Sequence, residues 1–138
     1  MNGKALCEKY MSDGTGELAD YKIHSFNGEP KIILVCKNRF SAGGLTEDFY
    51  DTNWKQLNIS REKNPNSKTL IKKPNELDKM LEFSQKLSEN LPFVRTDFYC
   101  IKGNIYFGEI TFFPASGFES FVPPEWDVTL GSWLELPQ

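Results

Sequence analysis

Four stretches of the chain carry strand-like patterns. Tyr21 to Phe26 alternates apolar and polar residues, Asn27-Gly28 follows, and Lys31 to Cys36 is strongly β-branched. Asn-Gly between two such runs is a strong short-range hairpin signal, because glycine and asparagine tolerate the positive φ that tight hairpin turns need. Phe93 to Cys100 and Ile105 to Phe113 form a second pair around Lys102-Gly103-Asn104. Between the pairs, Leu77, Met80, Leu81, Ser84 and Leu87 follow the i, i+3, i+4, i+7 spacing of a helix face. Pro74-Asn75 opens that helix with Asn75 as N-cap, and Glu76 and Asp78 sit in its first turn, where the helix dipole favours acids. Asn90 and Pro92 end it. Phe49-Tyr50-Asp51 with Trp54 anchors a further strand or turn. Asn58 to Lys73 is polar, contains Pro65 and reads as a long loop. The tail from Pro114 reads as loop with a short helix or turn near Glu125 to Gly131. The order hairpin, loop, helix, hairpin predicts one α+β domain over residues 1–138, an antiparallel β-sheet covered on one face by the helix.

With 138 residues, 39% of them hydrophobic and 11 of them Phe, the chain has the material for a real core. A net charge of −3 argues against a nucleic-acid binder. Lys55, Arg61, Lys63, Lys68, Lys72 and Lys73 cluster mid-chain, either as a solvated loop or as a contact surface for an anionic substrate. No Lys or Arg follows Lys102, while Glu109, Glu119, Glu125, Asp127 and Glu135 do. Cys7, Cys36 and Cys100 are odd in number and lack metal-ligand spacing, which fits a reducing, cytoplasmic setting. No apolar run is long enough for a transmembrane segment. His24 is the single histidine, with no partners at useful spacing for a triad or a multi-histidine metal site.

The chemistry concentrates in the second hairpin. Strand alternation puts Arg95, Asp97 and Tyr99 on one face and Phe107, Glu109, Thr111 and Phe113 on one face of the partner strand. A three-residue loop, Lys102-Gly103-Asn104, pairs Ile101 with Ile105, Asp97 with Glu109 and Arg95 with Thr111. Two directly opposed carboxylates repel and call for a proton, an arginine or a cation. Arg95 on the same face is one answer; a hard divalent cation shared with substrate phosphate is another. On this register one of the two carboxylates titrates above the ordinary range, and bare Mg²⁺ or Mn²⁺ stabilises the fold.

Arg95-Thr96-Asp97-Phe98, a Gly-containing turn, Gly108-Glu109-Ile110-Thr111 and Pro114-Ala115-Ser116-Gly117 resemble the metal-binding hairpin of ATP-grasp ligases. Together with Asp20-Tyr21-Lys22, Phe26-Asn27-Gly28, Phe49-Tyr50-Asp51 with Trp54, and Phe107 to Gly117, nearly the whole chain is similar to the TupA-like ATP-grasp branch. The resemblance implies the C-terminal lobe of that fold, using ATP and Mg²⁺, with Mn²⁺ as a substitute. It implies metal ligands at Asp97, Glu109 and Thr111, with Thr111 in place of the family's Asn. Lys22 and Arg95 would be the catalytic cations. Glu8, Lys9, Tyr10 and Met11 would form the adenine hinge, and Asp20 would bind ribose hydroxyls. The reaction implied is carboxylate activation through an acyl phosphate followed by attack of an amine, in bacterial cell-wall or capsular polysaccharide or teichuronopeptide biosynthesis. The glycine-rich loop and first-lobe lysine of such enzymes are expected upstream of Met1, so the isolated chain is expected to lack a complete active site. Two other readings remain: a truncated, non-catalytic binding module that self-associates or docks with a missing N-terminal lobe or a polysaccharide-synthesis enzyme, and a glycosyltransferase-type protein, for which the usual Asp-x-Asp signal is missing.

Overall fold

The computed structural model describes residue 5, residue 7, residues 9–15 and residues 18–136. Its elements, in chain order, are β1 (Asp20–Phe26), β2 (Glu29–Lys37), β3 (Thr46–Asp51), α1 (Leu77–Leu87), β4 (Phe93–Ile101), β5 (Asn104–Thr111) and α2 (Glu125–Ser132), with a short 3₁₀ segment at Pro114–Gly117 before α2. The strands form one five-stranded sheet in the order β3-β2-β1-β4-β5, antiparallel throughout. The α+β architecture is the one that the pattern predicts.

Each hairpin turns where two successive residues accept positive φ. Asn27 and Gly28 stand at 50° and 81° between β1 and β2, as the Asn-Gly signal requires. Between β4 and β5 the turn residues are Lys102 (50°) and Gly103 (79°). That turn corrects the expected three-residue loop: Ile101 pairs with Asn104, not Ile105. A two-residue turn of this hand follows the natural twist of the strands. The one-residue slip it introduces is taken back further along. Thr96 pairs with Ile110 and Phe98 with Phe107, so Asp97 alone faces both Gly108 and Glu109 in a bulge. Beyond it, Arg95 pairs with Thr111, as the alternation predicts.

One face of the sheet presents Tyr21, Ile23, Ile33, Val35, Tyr50 and Phe98 to Leu77 and Met80 of α1. Ser84 continues the helix stripe into a polar seam. Its hydroxyl hydrogen-bonds with those of Ser25 at 3.0 Å and Thr96 at 2.7 Å, all of them buried. The stripe ends there, since Leu87 is partly exposed. The N-cap is Glu76, without a side-chain cap bond, rather than Asn75; helix ends commonly shift by a residue.

The opposite face is divided. Over β2 and β3, Ile32, Leu34, Cys36 and Phe49 with loop residue Ile59 pack beneath Phe121, Trp126, Leu130 and Trp133 of the C-terminal segment. That segment is tied down at several points. Ser60 and Val122 exchange backbone hydrogen bonds of 2.9 Å, Trp126 Nε1 donates to Asn58 O at 2.9 Å, and Asn27 Nδ2 donates to Trp133 O at 2.7 Å. Over β1, β4 and β5 the same face carries charged side chains. Residues 52–74 are irregular, as expected, but anchored. Asp48, fully buried, accepts from Ser67 N at 3.0 Å and Gln56 Nε2 at 3.2 Å, and Trp54 Nε1 donates to Ile71 O at 2.9 Å. Leu57 N donates to Phe49 O at 2.8 Å and Glu47 N to Pro65 O at 3.0 Å, which covers the β3 edge of the sheet. Tyr106, Phe107 and Ile110 on β5, the other edge, are exposed.

Candidate functional site

The divided face brings the charged residues together by register. Asp20 pairs with Tyr99, Lys22 with Asp97 and His24 with Arg95 across β1 and β4. Because side chains two apart share a face, these six point to the same side of the sheet, next to Glu109 and Thr111 of β5. The bulge matters here: it presents Glu109 beside Asp97 where Gly108 lets the strands close up. A Cβ on Gly108 would stand 3.2 Å from the Asp97 carbonyl oxygen and 3.1 Å from Tyr99 Cε2.

Lys22 Nζ lies 2.7 Å from Asp20 Oδ2 and also contacts Asp97 Oδ2. Arg95 donates Nε to Asp97 Oδ1 at 2.8 Å and Nη2 to Asp97 Oδ2 at 2.9 Å and to Glu109 Oε1 at 2.7 Å. Thr111 Oγ1 donates to Glu109 Oε1 at 2.6 Å. Arg39 Nη2 donates to Asp20 Oδ2 at 3.3 Å. Asp97 is 1% exposed and Asp20 5%, whereas the Glu109 side chain is 60% exposed and that of Arg39 51%. Two charges are thus sunk into the sheet and two reach solvent.

Burial pushes the Asp20 carboxyl above its ordinary value despite Lys22 beside it. Burial also works against the charge on Lys22, but Asp20 and Asp97 outweigh it and hold the ammonium above the ordinary lysine value. Glu109 is held below the usual carboxylate range, chiefly by the Thr111 hydroxyl and then by the charge of Arg95. This corrects the expectation of an uncompensated pair with Glu109 as one of its members. Arg95 lies between the two carboxylates and removes the repulsion. Asp20, outside the Asp97–Glu109 pair, has a raised pKa, and desolvation raises it.

Two clefts open beside the cluster. One, of about 290 Å³, is lined by Lys9, Tyr10, Met11, Asp20, Arg39 and Tyr99 among others. The other, of about 380 Å³, shares Lys9, Met11, Asp20, Arg39 and Tyr99 and adds Lys22, Asp97 and Glu109. The structure therefore brings Lys9, Tyr10, Met11 and Asp20 to one cleft and Lys22, Asp97 and Glu109 to the adjoining one. Arg95 lies between the carboxylates. Thr111 holds Glu109 in place. Glu8 lies outside the described residues. One Asp20 oxygen, Oδ1, is buried without a hydrogen-bond partner among the described residues, and Asp20 lines both clefts. Such an acceptor suits a hydroxyl donor.

Sequence reasoning missed Arg39, a single cation just past β2 with no motif around it, yet it stands over both clefts. It also left open whether Arg61 was a solvated loop charge. Arg61 is mostly buried, lies 3.2 Å from Glu47 Oε1 and 2.5 Å from Glu119 Oε1, and joins the loop and the tail to β3. His24 is buried and neutral. Burial first, then Arg95, Arg61 and Lys22, push its pKa down to about 3. The Ile32 carbonyl favours the protonated ring slightly, but neither ring nitrogen makes a hydrogen bond of good geometry.

Among the described residues no cluster of three or more His, Cys, Asp or Glu could hold a metal ion. Asp97 and Glu109 nevertheless converge on a single guanidinium group, so both carboxylates reach a common point. Two carboxylates there fit Mg²⁺, which takes one or two protein carboxylates and fills its octahedron with water and phosphate oxygens. No helix among the described residues is long and apolar enough to cross a membrane.

The family model described as TupA-like ATPgrasp matches residues 1–135 of the chain. No curated protein and no solved structure matches it.

Proposed function

We propose, from the premise that this chain belongs to the TupA-like ATP-grasp family, that it provides the nucleotide and metal site of an ATP-dependent ligase joining a carboxylate to an amine. The nucleotide would supply the phosphoryl group that makes the carboxylate an acyl phosphate, which the amine then displaces, and Mg²⁺ bound with it would offset phosphate charge. Lys9, Tyr10 and Met11 would receive the base, and Asp20 Oδ1 the ribose hydroxyls. Asp97 and Glu109 would hold the metal, with Thr111 keeping Glu109 oriented. Lys22 and Arg95 would neutralise charge on the transferring phosphoryl group. Arg39, whose guanidinium is half exposed above the clefts, would bind phosphate or the substrate carboxylate. Such catalysis is mainly positioning and electrostatics in a partly desolvated site.

The observation that carries this reading is the convergence of Lys22 and Arg95 on Asp97 and Glu109 in a cleft continuous with Lys9, Met11 and Asp20. Family membership further supports a place in bacterial cell-wall or capsular polysaccharide or teichuronopeptide assembly. Free Cys7, Cys36 and Cys100 and the need for ATP support a cytoplasmic setting. Calorimetric titration with Mg–ATP tests the site. Binding that Asp97→Asn weakens strongly is expected, and equal binding by that variant would remove the assignment. Phosphate release with a panel of carboxylates and amines then tests the ligation.

A second reading has one observation of its own. The β5 edge exposes Tyr106, Phe107 and Ile110, with Phe112 and Phe113 just beyond. A module that docks with another lobe would present such an edge.

A further inference from the structure

The cluster already contains the cations that a divalent metal would have to replace. Asp97 Oδ2 is in contact with Lys22 Nζ and with Arg95 Nη2, and Asp97 Oδ1 accepts from Arg95 Nε. Neither oxygen is free of a charged donor. The formal charges also cancel, with Asp20, Asp97 and Glu109 against Lys22, Arg39 and Arg95. A bare divalent cation would leave this half-buried site with a net positive charge. A cation arriving with a nucleoside triphosphate brings a net negative charge instead, and the phosphates can satisfy the cations it displaces.

The two inner cations are not equally easy to move. Arg95 holds Asp97 through a planar two-bond fork and holds Glu109 as well. Lys22 is a point charge on a flexible stem, and it has a second anchor in Asp20 at 2.7 Å. It can leave Asp97 without losing a counter-charge, and it lines the cleft in which phosphates would lie.

We infer that Lys22 is an internal cation that closes Asp97 to free divalent metal, so that the site takes a metal only together with a nucleotide whose phosphates receive the Lys22 ammonium. This rests on reading Asp97 and Glu109 as metal carboxylates, and it reverses the expectation that bare Mg²⁺ or Mn²⁺ would stabilise the fold. Removing the ammonium leaves the cluster one negative charge in excess and leaves Asp97 Oδ2 with Arg95 Nη2 as its one charged donor. Free metal should then bind.

Mn²⁺ alone is the probe, read by loss of the free aqueous Mn²⁺ EPR signal, with wild type, Lys22→Met, Asp97→Asn and the double variant compared. Wild type is expected to leave the signal unchanged into the millimolar range typical of weak carboxylate sites (roughly 1 mM). Lys22→Met is expected to bind a single Mn²⁺ roughly tenfold tighter or more, the scale of one charge contact, and the double variant to lose that gain. Wild type binding Mn²⁺ as well as Lys22→Met overturns the inference, as does a Lys22→Met protein that binds none. A gain that survives in the double variant overturns it too, because Asp97 would then not be the ligand. The functional reading fails separately, through Mg–ATP binding that is indifferent to Asp97→Asn. Circular dichroism checks the fold of each variant, and Lys22→Gln, which keeps a donor without the charge, replaces Lys22→Met if the latter does not fold.

Discussion

Arg95 grips Asp97 two positions along the same strand, with hydrogen bonds of 2.8 and 2.9 Å to the two carboxylate oxygens. Strand alternation makes the contact available, and burial makes it necessary. Asp97 is almost wholly removed from water, and an ionised carboxylate there needs compensating donors. The charge cluster proposed as the site is therefore also a structural requirement of β4.

Arg95→Ala should for that reason destabilise the fold by about 3 kcal/mol, the lower end for breaking a buried pair, because Lys22 stays beside Asp97. Asp97→Asn should be milder, since Arg95 keeps Glu109 and its face of the cluster is wetter. The double variant should lose less than the sum of the two. Urea midpoints read all three, and strict additivity would mean that the pair is not coupled.

His24 supplies a pH dependence. Its pKa is pushed from 6.5 down to about 3 in the folded chain. Below 6.5 the unfolded chain binds a proton that the folded chain does not. Stability therefore falls with pH from 6.5 toward about 3, by at most about 1.4 kcal/mol per pH unit. The carboxylates overlap this window, Asp20 with the opposite sign because its folded pKa is raised. Subtracting the stability profile of His24→Leu from that of wild type cancels them. The difference should slope through this window and be flat above pH 7; a flat difference throughout would show that His24 is not buried as a neutral ring.

The elements were legible where local chemistry decides them. Asn27-Gly28 announces its turn by residue type, and the Leu77, Met80, Ser84 spacing announces α1 by period. The β4–β5 register was not legible. Lys102 at positive φ is not a turn signal, and the bulge opposite Asp97 reflects packing between strands. Alternation placed Asp97 and Glu109 on the right face, but not the guanidinium bridge between them. Arg39 and Arg61 were obscure for a related reason. Each is an unremarkable cation in a polar segment, and only the folded chain shows that one stands over the clefts and the other is buried between two glutamates. Thr111 stands out in the sequence only by its position in a motif, and the bond from its hydroxyl to Glu109 is visible only in the folded chain.

Gly108 is required by close approach rather than by φ. The nearest obstacle to a Cβ there, apart from the Tyr99 ring, is the backbone oxygen of Asp97, which cannot swing aside as a side chain can. Gly108→Ala should cost about 1 kcal/mol of stability through overpacking. By opening the bulge it should also move Glu109 away from Asp97 and weaken Mg–ATP binding. A thermal melt and a nucleotide titration read the two effects, and an alanine variant that matched wild type in both would mean that the strands are farther apart at the bulge.

Arg61 joins three parts of the chain that are remote in sequence. It belongs to the irregular stretch after β3, its Nη1 reaches Glu47 Oε1 on β3, and its Nη2 reaches Glu119 Oε1 in the tail. Its guanidinium also lies 5.9 Å above the Phe49 ring, over the core that Trp126 and Trp133 cover from the tail side. Glu47 is 3% exposed and has no other cation within ion-pairing distance among the described residues. Arg61→Met keeps the apolar stem but strands the Glu47 charge, and should lose about 3 kcal/mol. Glu47→Gln placed on top should restore much of that loss by removing the uncompensated charge. The tail should respond differently. Without the Arg61–Glu119 contact the stretch before α2 is left with the Ser60–Val122 bond pair and its packing, while the bonds of Trp126 and Trp133 hold only the segment beyond it, so it should be cut faster by protease whether or not Glu47 is changed. Limited proteolysis across the 113–124 segment, set against urea stability for the single and double variants, separates the two roles. If Glu47→Gln restored stability and protease resistance together, the tail would be held by its backbone bonds and aromatic packing, and Glu119 would add nothing.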